Sequence, residues 1–356
     1  MSIEEQHTDV ASGQDTDAAA ATTHLVEGSM RHRNRPDVRM LIQSYGVIVI
    51  FALLFTVLCF AAPNFLTSQN LLNVLNSNAY IGIAACGTTL VMIGGNFDLS
   101  IGYGYALAGI LAAWFAAHAG GAVTGMLLAV LAVGVVVGLV NALLVNMVRV
   151  HSFLATLATS LVLSGIGLGI TGGFQIDIPM SEQPAFTWLG QRSSILDIPN
   201  PVTAFVVVAG VLGFILSRTR FGRYVYAAGG NPEAARLSGI RVGWVLTATL
   251  IIGAMCAALA GVIGASVSGA GQADPGGTQS LPLDAIAAVV IGGTSIKGGE
   301  GALWRTVVGV LFIALINNAF NLIGIDSSYL PTATGLLIIL AVAANSLMAR
   351  RRPTAI

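Results

Sequence analysis

All but one of the sixteen lysines and arginines in this chain fall on a single side of a bilayer once its long apolar runs are threaded alternately across it. The runs occupy approximately residues 41–62, 71–94, 101–118, 122–148, 152–170, 201–217, 243–266, 281–294, 304–322 and 329–349. Most match the roughly 20 residues that a hydrocarbon core demands; the eighth is short. Arg31, Arg33, Arg35, Arg39, Arg149, the five arginines from Arg218 to Arg241, Lys297, Arg305 and the Arg350–Arg352 triplet share one side, and only Arg192 lies opposite. Basic residues near span ends are retained in the cytoplasm, whereas Asp and Glu contribute little to orientation. The pattern predicts an all-α polytopic membrane protein with about ten transmembrane helices and both termini cytoplasmic.

Composition excludes a soluble fold. The chain is 55% hydrophobic and 9% charged, with a mean hydropathy of +0.82, and stretches such as Val202 to Leu216 have no polar face to hydrate. Net charge is zero, and the sorting of charges by side reflects topology, giving no reason to invoke nucleic acid. Residues 1–38 are polar and read as a flexible cytoplasmic tail ahead of a membrane domain at 39–352, with no cleavable signal at the first apolar run. Cys59, Cys86 and Cys256 sit inside apolar runs and read as small buried hydrophobes, with neither a metal nor a disulfide framework implied. No cofactor and no catalytic group is expected. Glycines within spans, at Gly134, Gly138, Gly165, Gly167 and Gly169, predict closely approaching helices.

Three motifs stand out between the runs. In the cytoplasmic loop 218–241, Asn231 is a good N-cap, Pro232 suits the first helical position, and Glu233 faces the positive end of the helix dipole. Ala234, Ala235, Arg236 and Leu237 propagate about two turns, which Gly239 can end, displayed on a Gly229–Gly230 turn. So short a helix is unstable alone, which suggests a receiving surface; a plain interfacial loop helix fits the same residues. The second motif, residues 94–104, carries Asp98, the only charged residue between Arg39 and Arg149, with Asp98 or Ser100 placed to cap the following helix. A broken-helix element that responds to solute is the functional alternative. The third, residues 291–302, holds Lys297 among glycines but lacks the Gly-Lys-Ser/Thr of a nucleotide loop, so any ATP must be handled by a partner.

Inside the spans, Asn73 and Asn76 near one end of the second run and Asn317 and Asn318 near the same end of the ninth are candidates for a solute pathway. An amide offers hydroxyls both donor and acceptor, although helix–helix bonding uses the same groups. No Arg, Lys or His lies mid-span, and Asp284 is the only carboxylate within a run, which leaves little material for ion coupling.

At these motifs the chain resembles the permease subunit of bacterial ATP-binding-cassette sugar importers of the ribose, xylose and galactose type, a group related to branched-chain amino-acid permeases. The stretches that carry the resemblance are residues 94–102, 222–240 and 283–295. The resemblance implies that Gly230, Asn231, Glu233, Ala234, Ala235, Arg236 and Gly239 couple to an ATPase subunit. Asp98, Leu99 and Ser100, with Gly292, Gly293, Thr294 and Ser295, match the family's two signature loops. One departure is visible: both Asn96 and Phe97 separate the paired glycines from Asp98, where the family usually has one apolar residue. The implied assembly has a second permease subunit, a homodimer being expected, an ABC ATPase subunit and an extracytoplasmic solute-binding protein, all at the bacterial inner membrane. Its solute is a small neutral monosaccharide. The competing readings are an ion-coupled secondary carrier for a neutral solute and a channel or non-transport scaffold.

Overall fold

The computed structural model describes residues 38–343 apart from 275–277, 279, 325, 337, 338, 341 and 342. Residues 1–37 of the expected tail, the basic residues Arg31 to Arg35 and Arg350 to Arg352, and 337, 338, 341, 342 and 344–349 of the last apolar run lie outside the described residues. The helices are α1 (Val38–Ala61), α2 (Ser68–Ile93), α3 (Ile101–His118), α4 (Ala122–Ala142, prolonged by a π-helical turn at Leu143–Met147) and α5 (Ser152–Thr171). After two one-turn helices, α6 (Gln183–Phe186) and α7 (Trp188–Gln191), come α8 (Asn200–Arg218), α9 (Arg220–Gly230), α10 (Pro232–Leu237), α11 (Val242–Ser268), α12 (Leu281–Ile291) and α13 (Leu303–Ile323). Among the described residues seven helices are long and apolar enough to cross a membrane, and Ile48–Ala61 and Leu281–Ile291 are shorter apolar helices. The chain is an all-α polytopic membrane protein.

The bundle is organised around α11, which packs along α4, α3 and α2. The central positions of α2, α3 and α11 show in their burial, 78%, 67% and 67%, against 33% for α5 and for α8, whose apolar faces are left to lipid. Glycine permits the closest of these crossings. A Cβ on Gly138 would stand 2.5 Å from Ile251 Cα, and one on Gly134 2.7 Å from Met255 Cα. The expectation fails for α5: a Cβ at Gly165 or Gly169 meets nothing within 4 Å, and at Gly167 only the tip of Ile110. Small residues in an apolar run signal tight packing only on a face that another helix covers, and periodicity alone does not say which face that is.

The two ends of the bundle differ in construction. At one end β1 (Ile176–Asp177) pairs antiparallel with β4 (Ala270–Gly271), while β2 (Ser193–Ile195) and β3 (Ile198–Pro199) form a small hairpin. Ser266 Oγ donates to Phe186 O at 2.6 Å, Gln191 Nε2 to Val267 O at 2.9 Å, and Ala122 N to Glu182 Oε2 at 2.8 Å. The segments at 118–121, 171–200 and 268–271, which charge alternation assigns to one side, thus meet in one cap. The segments at 94–100, 218–241 and 292–301 meet at the opposite, glycine-rich end.

Candidate functional site

At the glycine-rich end the three sequence motifs converge. Thr219 caps α9, its Oγ1 accepting from Gly222 N at 3.2 Å, and the helix buries Val225 and Ala228 against the bundle. Gly229 and Gly230 are the last turn of this helix rather than the turn expected from the paired glycines. The reason is contact. A Cβ on Gly229 would overlap the carbonyl oxygen of Ile93, at the end of α2, and stand 2.8 Å from Gly299 N. Gly299 N in turn donates to Ile93 O at 2.8 Å, a Cβ on Gly298 would lie 2.8 Å from Gly95 Cα, and Tyr226 Oη donates to Gly301 O at 2.8 Å. Three backbones therefore touch with no side chains between them.

From this junction α10 projects as expected. Asn231 Oδ1 accepts from Ala234 N at 3.0 Å, Pro232 opens the helix, and Gly239, at φ +83°, closes it, with Gly239 N bonded to Arg236 O at 2.9 Å. Ala235 alone is buried; Glu233, Ala234 and Arg236 are exposed, and Leu237 is 86% exposed. The six-residue helix thus presents an apolar side chain at its end, beside the exposed charges of Glu233 and Arg236.

The two glycine signatures end their helices alike. At α2, Gly95 N bonds Met92 O at 2.9 Å and Asn96 N bonds Val91 O at 3.1 Å; at α12, Gly293 N bonds Val290 O at 2.8 Å and Thr294 N bonds Val289 O at 3.1 Å. Gly95 and Gly293 sit at φ +84° and +78°, the left-handed conformation this cap requires. The likeness, loose in sequence, is close in hydrogen bonding. Beyond the caps the paths diverge. Ser295 N reaches Glu300 O at 2.9 Å and Lys297 N reaches Ser295 Oγ at 3.2 Å, folding residues 295–300 back onto the junction. The first loop instead runs inward to Asp98, which is 1% exposed.

Neither Asp98 nor Ser100 caps α3, contrary to the sequence expectation. Asp98 Oδ1 accepts from both Ser100 N (2.9 Å) and Ser100 Oγ (2.5 Å), and that hydroxyl accepts from Asn141 Nδ2 of α4 at 2.8 Å. The neighbouring backbone is held by α5: Phe97 N donates to Ser152 Oγ at 3.1 Å and Leu99 N to Thr156 Oγ1 at 3.0 Å. Asp98 is therefore a tie among α3, α4 and α5. Its other oxygen and Asn141 Oδ1 are buried without a partner among the described residues, an arrangement that is costly to hold in a packed bundle.

At the opposite end of α2 and α13 lies a cavity of about 320 Å³ lined by asparagines, among them Asn73, Asn317 and Asn318. Asn76 does not join them; its Oδ1 is buried elsewhere, without a partner among the described residues. Helical spacing explains the separation, since Asn76 lies about 120° around α2 from Asn70 and about 160° from Asn78, off the stripe that faces the cavity.

A family model described as "Branched-chain amino acid transport system / permease component" matches residues 70–343, which include both glycine signatures, the 218–241 loop and the amide cavity. The chain belongs to this family. The permease is 37% identical over 298 residues to the ribose import permease protein of Escherichia coli, covering 83% of this chain and 90% of the relative. It is 32% identical over 312 residues to the D-allose transport system permease protein of Escherichia coli, covering 86% and 92%. To the L-arabinose ABC transporter permease protein of Azospirillum brasilense it is 34% identical over 310 residues, covering 87% and 89%. No solved structure matches it. It is a permease component of an ATP-binding-cassette importer and a multi-pass protein of the bacterial inner membrane.

Several residues that build the permease's sites escaped the sequence reading. Gly229, Gly298 and Gly299 carry the junction, yet a glycine's role in close approach shows only when its neighbour in space is known. Asn141, Ser152 and Thr156 hold the Asp98 loop from helices more than forty residues away in the chain. Asn70 was within reach: with Asn73, Ser77 and Asn78 it makes a polar stripe at helical spacing in an otherwise apolar span.

Proposed function

We propose that this permease translocates a monosaccharide into the cytoplasm, working as one of two permease subunits with a separate ATPase and an extracytoplasmic binding protein. The glycine-rich end then faces the cytoplasm and the β-capped end the exterior, with ten spans in all, both termini cytoplasmic and 218–241 as the coupling loop. Three relatives named for ribose, allose and arabinose favour a sugar as cargo. ATP hydrolysis belongs to the partner, because no nucleotide loop occurs in the chain.

The backbone junction carries the reading. Helix α10 offers exposed Glu233, Arg236 and Leu237 for docking, and its root at Gly229–Gly230 is in direct contact with Ile93 at the end of α2 and with Gly298–Gly299 in the loop that follows α12. A displacement of α10 by the ATPase cannot be absorbed by side-chain rotation at that joint, since Gly229 and Gly230 meet backbone there. It must move Gly95 and Gly298–Gly299, and through Gly95 the Asp98 tie to α4 and α5. Gly292 to Ser295 would transmit the same motion to α13.

Co-purification tests this. Glu233→Arg places a positive charge at the N-terminal end of α10, where the dipole term is only about 0.3–1 kcal/mol, too little to unfold the bundle. The variant accumulates in the membrane but loses ATPase association and uptake together. Normal ATPase stoichiometry with normal uptake would refute the docking assignment.

A further inference from the structure

The asparagines lining the cavity between α2 and α13 divide into two kinds. Asn70 Nδ2 donates to Asn318 Oδ1 at 3.2 Å and to Phe65 O at 2.9 Å, and Asn318 Nδ2 returns a bond to Asn70 Oδ1 at 2.8 Å. Asn317 Nδ2 donates to Asn78 Oδ1 at 3.3 Å, while Asn78 Nδ2 is spent on Val74 O at 2.9 Å. These two rungs join the helices and leave little hydrogen-bonding capacity over. Asn73, Ser77 and Asn321 are different. All three are exposed, Ser77 and Asn321 have no side-chain hydrogen-bond partner among the described residues, and Asn73 uses only its oxygen, accepting from Gln69 Nε2 at 3.2 Å.

Uncommitted amides at this position cannot face lipid cheaply, because hydrocarbon offers them no partner. The face is therefore wet or occupied. Its chemistry narrows the occupant. Every lining residue is uncharged, so nothing balances a carboxylate or an ammonium, whereas amides and a hydroxyl supply both donors and acceptors for hydroxyl groups. Asp284, the carboxylate of α12, does not line the cavity. At about 320 Å³ the cavity is at the lower limit of small-molecule sites, roughly 300–1,000 Å³, which fits one sugar ring rather than a disaccharide. Its inner wall is Tyr80, whose ring lies 5.7 Å from that of Tyr105 on α3, so an aromatic pair closes the route toward the bundle centre.

We infer that this cavity is an entry vestibule for a neutral polyhydroxylated solute, in which Asn73, Ser77 and Asn321 bind its hydroxyls while the Asn70–Asn318 and Asn78–Asn317 rungs hold α2 and α13 at the spacing required. The inference rests on the proposed import function and adds a site to it. The rungs position the site; the three free groups touch the solute. Asn76 has no part in it.

The test uses the complete importer, permease with ATPase and binding protein, reconstituted in liposomes and supplied with labelled D-ribose, D-allose or L-arabinose. Asn73→Leu/Asn321→Leu is expected to reduce ATP-driven uptake about tenfold, the loss that two weak hydrogen bonds account for, with ATPase stoichiometry and ATP hydrolysis unchanged. Asn70→Leu/Asn318→Leu, which removes a rung that sets the helix spacing, is expected to lower uptake per assembled complex as well. In a third variant, Asn321→Cys, an impermeant thiol reagent applied outside labels the introduced thiol, and the transported sugar slows labelling while L-leucine does not. If the wild-type importer takes up none of the three sugars, the import reading fails and the vestibule with it. If it imports one and Asn73→Leu/Asn321→Leu imports equally well, the vestibule alone is overturned. An Asn321→Cys variant that resists labelling in the assembled complex also overturns it, since that face is then covered by a second permease copy.

Discussion

The amide cavity and the glycine junction lie at opposite ends of α2 and are built on opposite plans. At the cavity, side chains do the joining: two rungs of asparagines span the gap, and the backbones stand far enough apart to leave about 320 Å³ between them. At the junction one side chain bridges, Tyr226 Oη to Gly301 O, and the remaining contact is backbone on backbone. Ile93, Gly95, Gly229, Gly298 and Gly299 meet backbone to backbone, with a single hydrogen bond from Gly299 N to Ile93 O. A joint made of rotatable side chains can adapt to a guest, whereas a joint made of peptide planes passes displacement on. Binding suits the first and coupling the second.

That contrast predicts how the two ends respond to mutation. The largest effect belongs to the junction. Gly229→Leu forces a branched side chain into the Ile93 carbonyl, and overpacking of this kind costs about 1–3 kcal/mol or more; membrane accumulation should fall sharply, as measured by immunoblot of the membrane fraction. A cysteine probe at Gly229 would itself disturb the contact with Ile93, so topology is better probed at Ser238, which is exposed. The thiol of Ser194→Cys should react with an impermeant reagent applied outside and that of Ser238→Cys should not; the reverse labelling would invert the whole assignment of sides.

A smaller effect is expected at Asp98. Asp98→Asn retains the size of the side chain and an acceptor for Ser100, so accumulation and ATPase association should persist. Uptake should nevertheless change, because an amide bonds the Ser100–Asn141 relay differently from a carboxylate. Unaltered transport would reduce Asp98 to a structural tie. The smallest effect belongs to a cavity rung. Asn70→Leu alone strands both Asn318 and Phe65 O and should cost about 1–3 kcal/mol, whereas the pair Asn70→Leu/Asn318→Leu strands only Phe65 O and should lower thermal stability less. A double variant as damaged as the single would show that the rung does more than hold helices.

What could be read from the chain follows from the physics of each signal. The apolar runs located the long helices closely, α3 at Ile101–His118 and α11 at Val242–Ser268, because a bilayer imposes length and composition on every span. The Asn231 cap and the Gly239 stop were also legible, being local chemistry. Helix α9 was not. It is amphipathic, too short to register as a span, and ends in two glycines that normally mark a turn; only the approach of Ile93 and Gly299 explains why they are helical. Asp98 misled for the same reason. A capping role is its commonest local use, while its actual bond to Ser100 serves contacts from α4 and α5 that sequence order does not reveal. Composition groups Asn76 with Asn73, but Asn76 lies off the stripe of α2 that lines the cavity.

The most direct measurement compares two neighbouring glycines. A Cβ on Gly230 would meet Gly299 Cα at 3.7 Å, an ordinary contact, whereas one on Gly229 overlaps the Ile93 carbonyl. Gly230→Ala and Gly229→Ala importers, reconstituted with ATPase and binding protein, are compared by sugar taken up per ATP hydrolysed. A near-normal ratio is expected for Gly230→Ala and a ratio lowered at least severalfold for Gly229→Ala in complexes that still bind the ATPase. Equal ratios for the two variants would contradict transmission through the backbone junction.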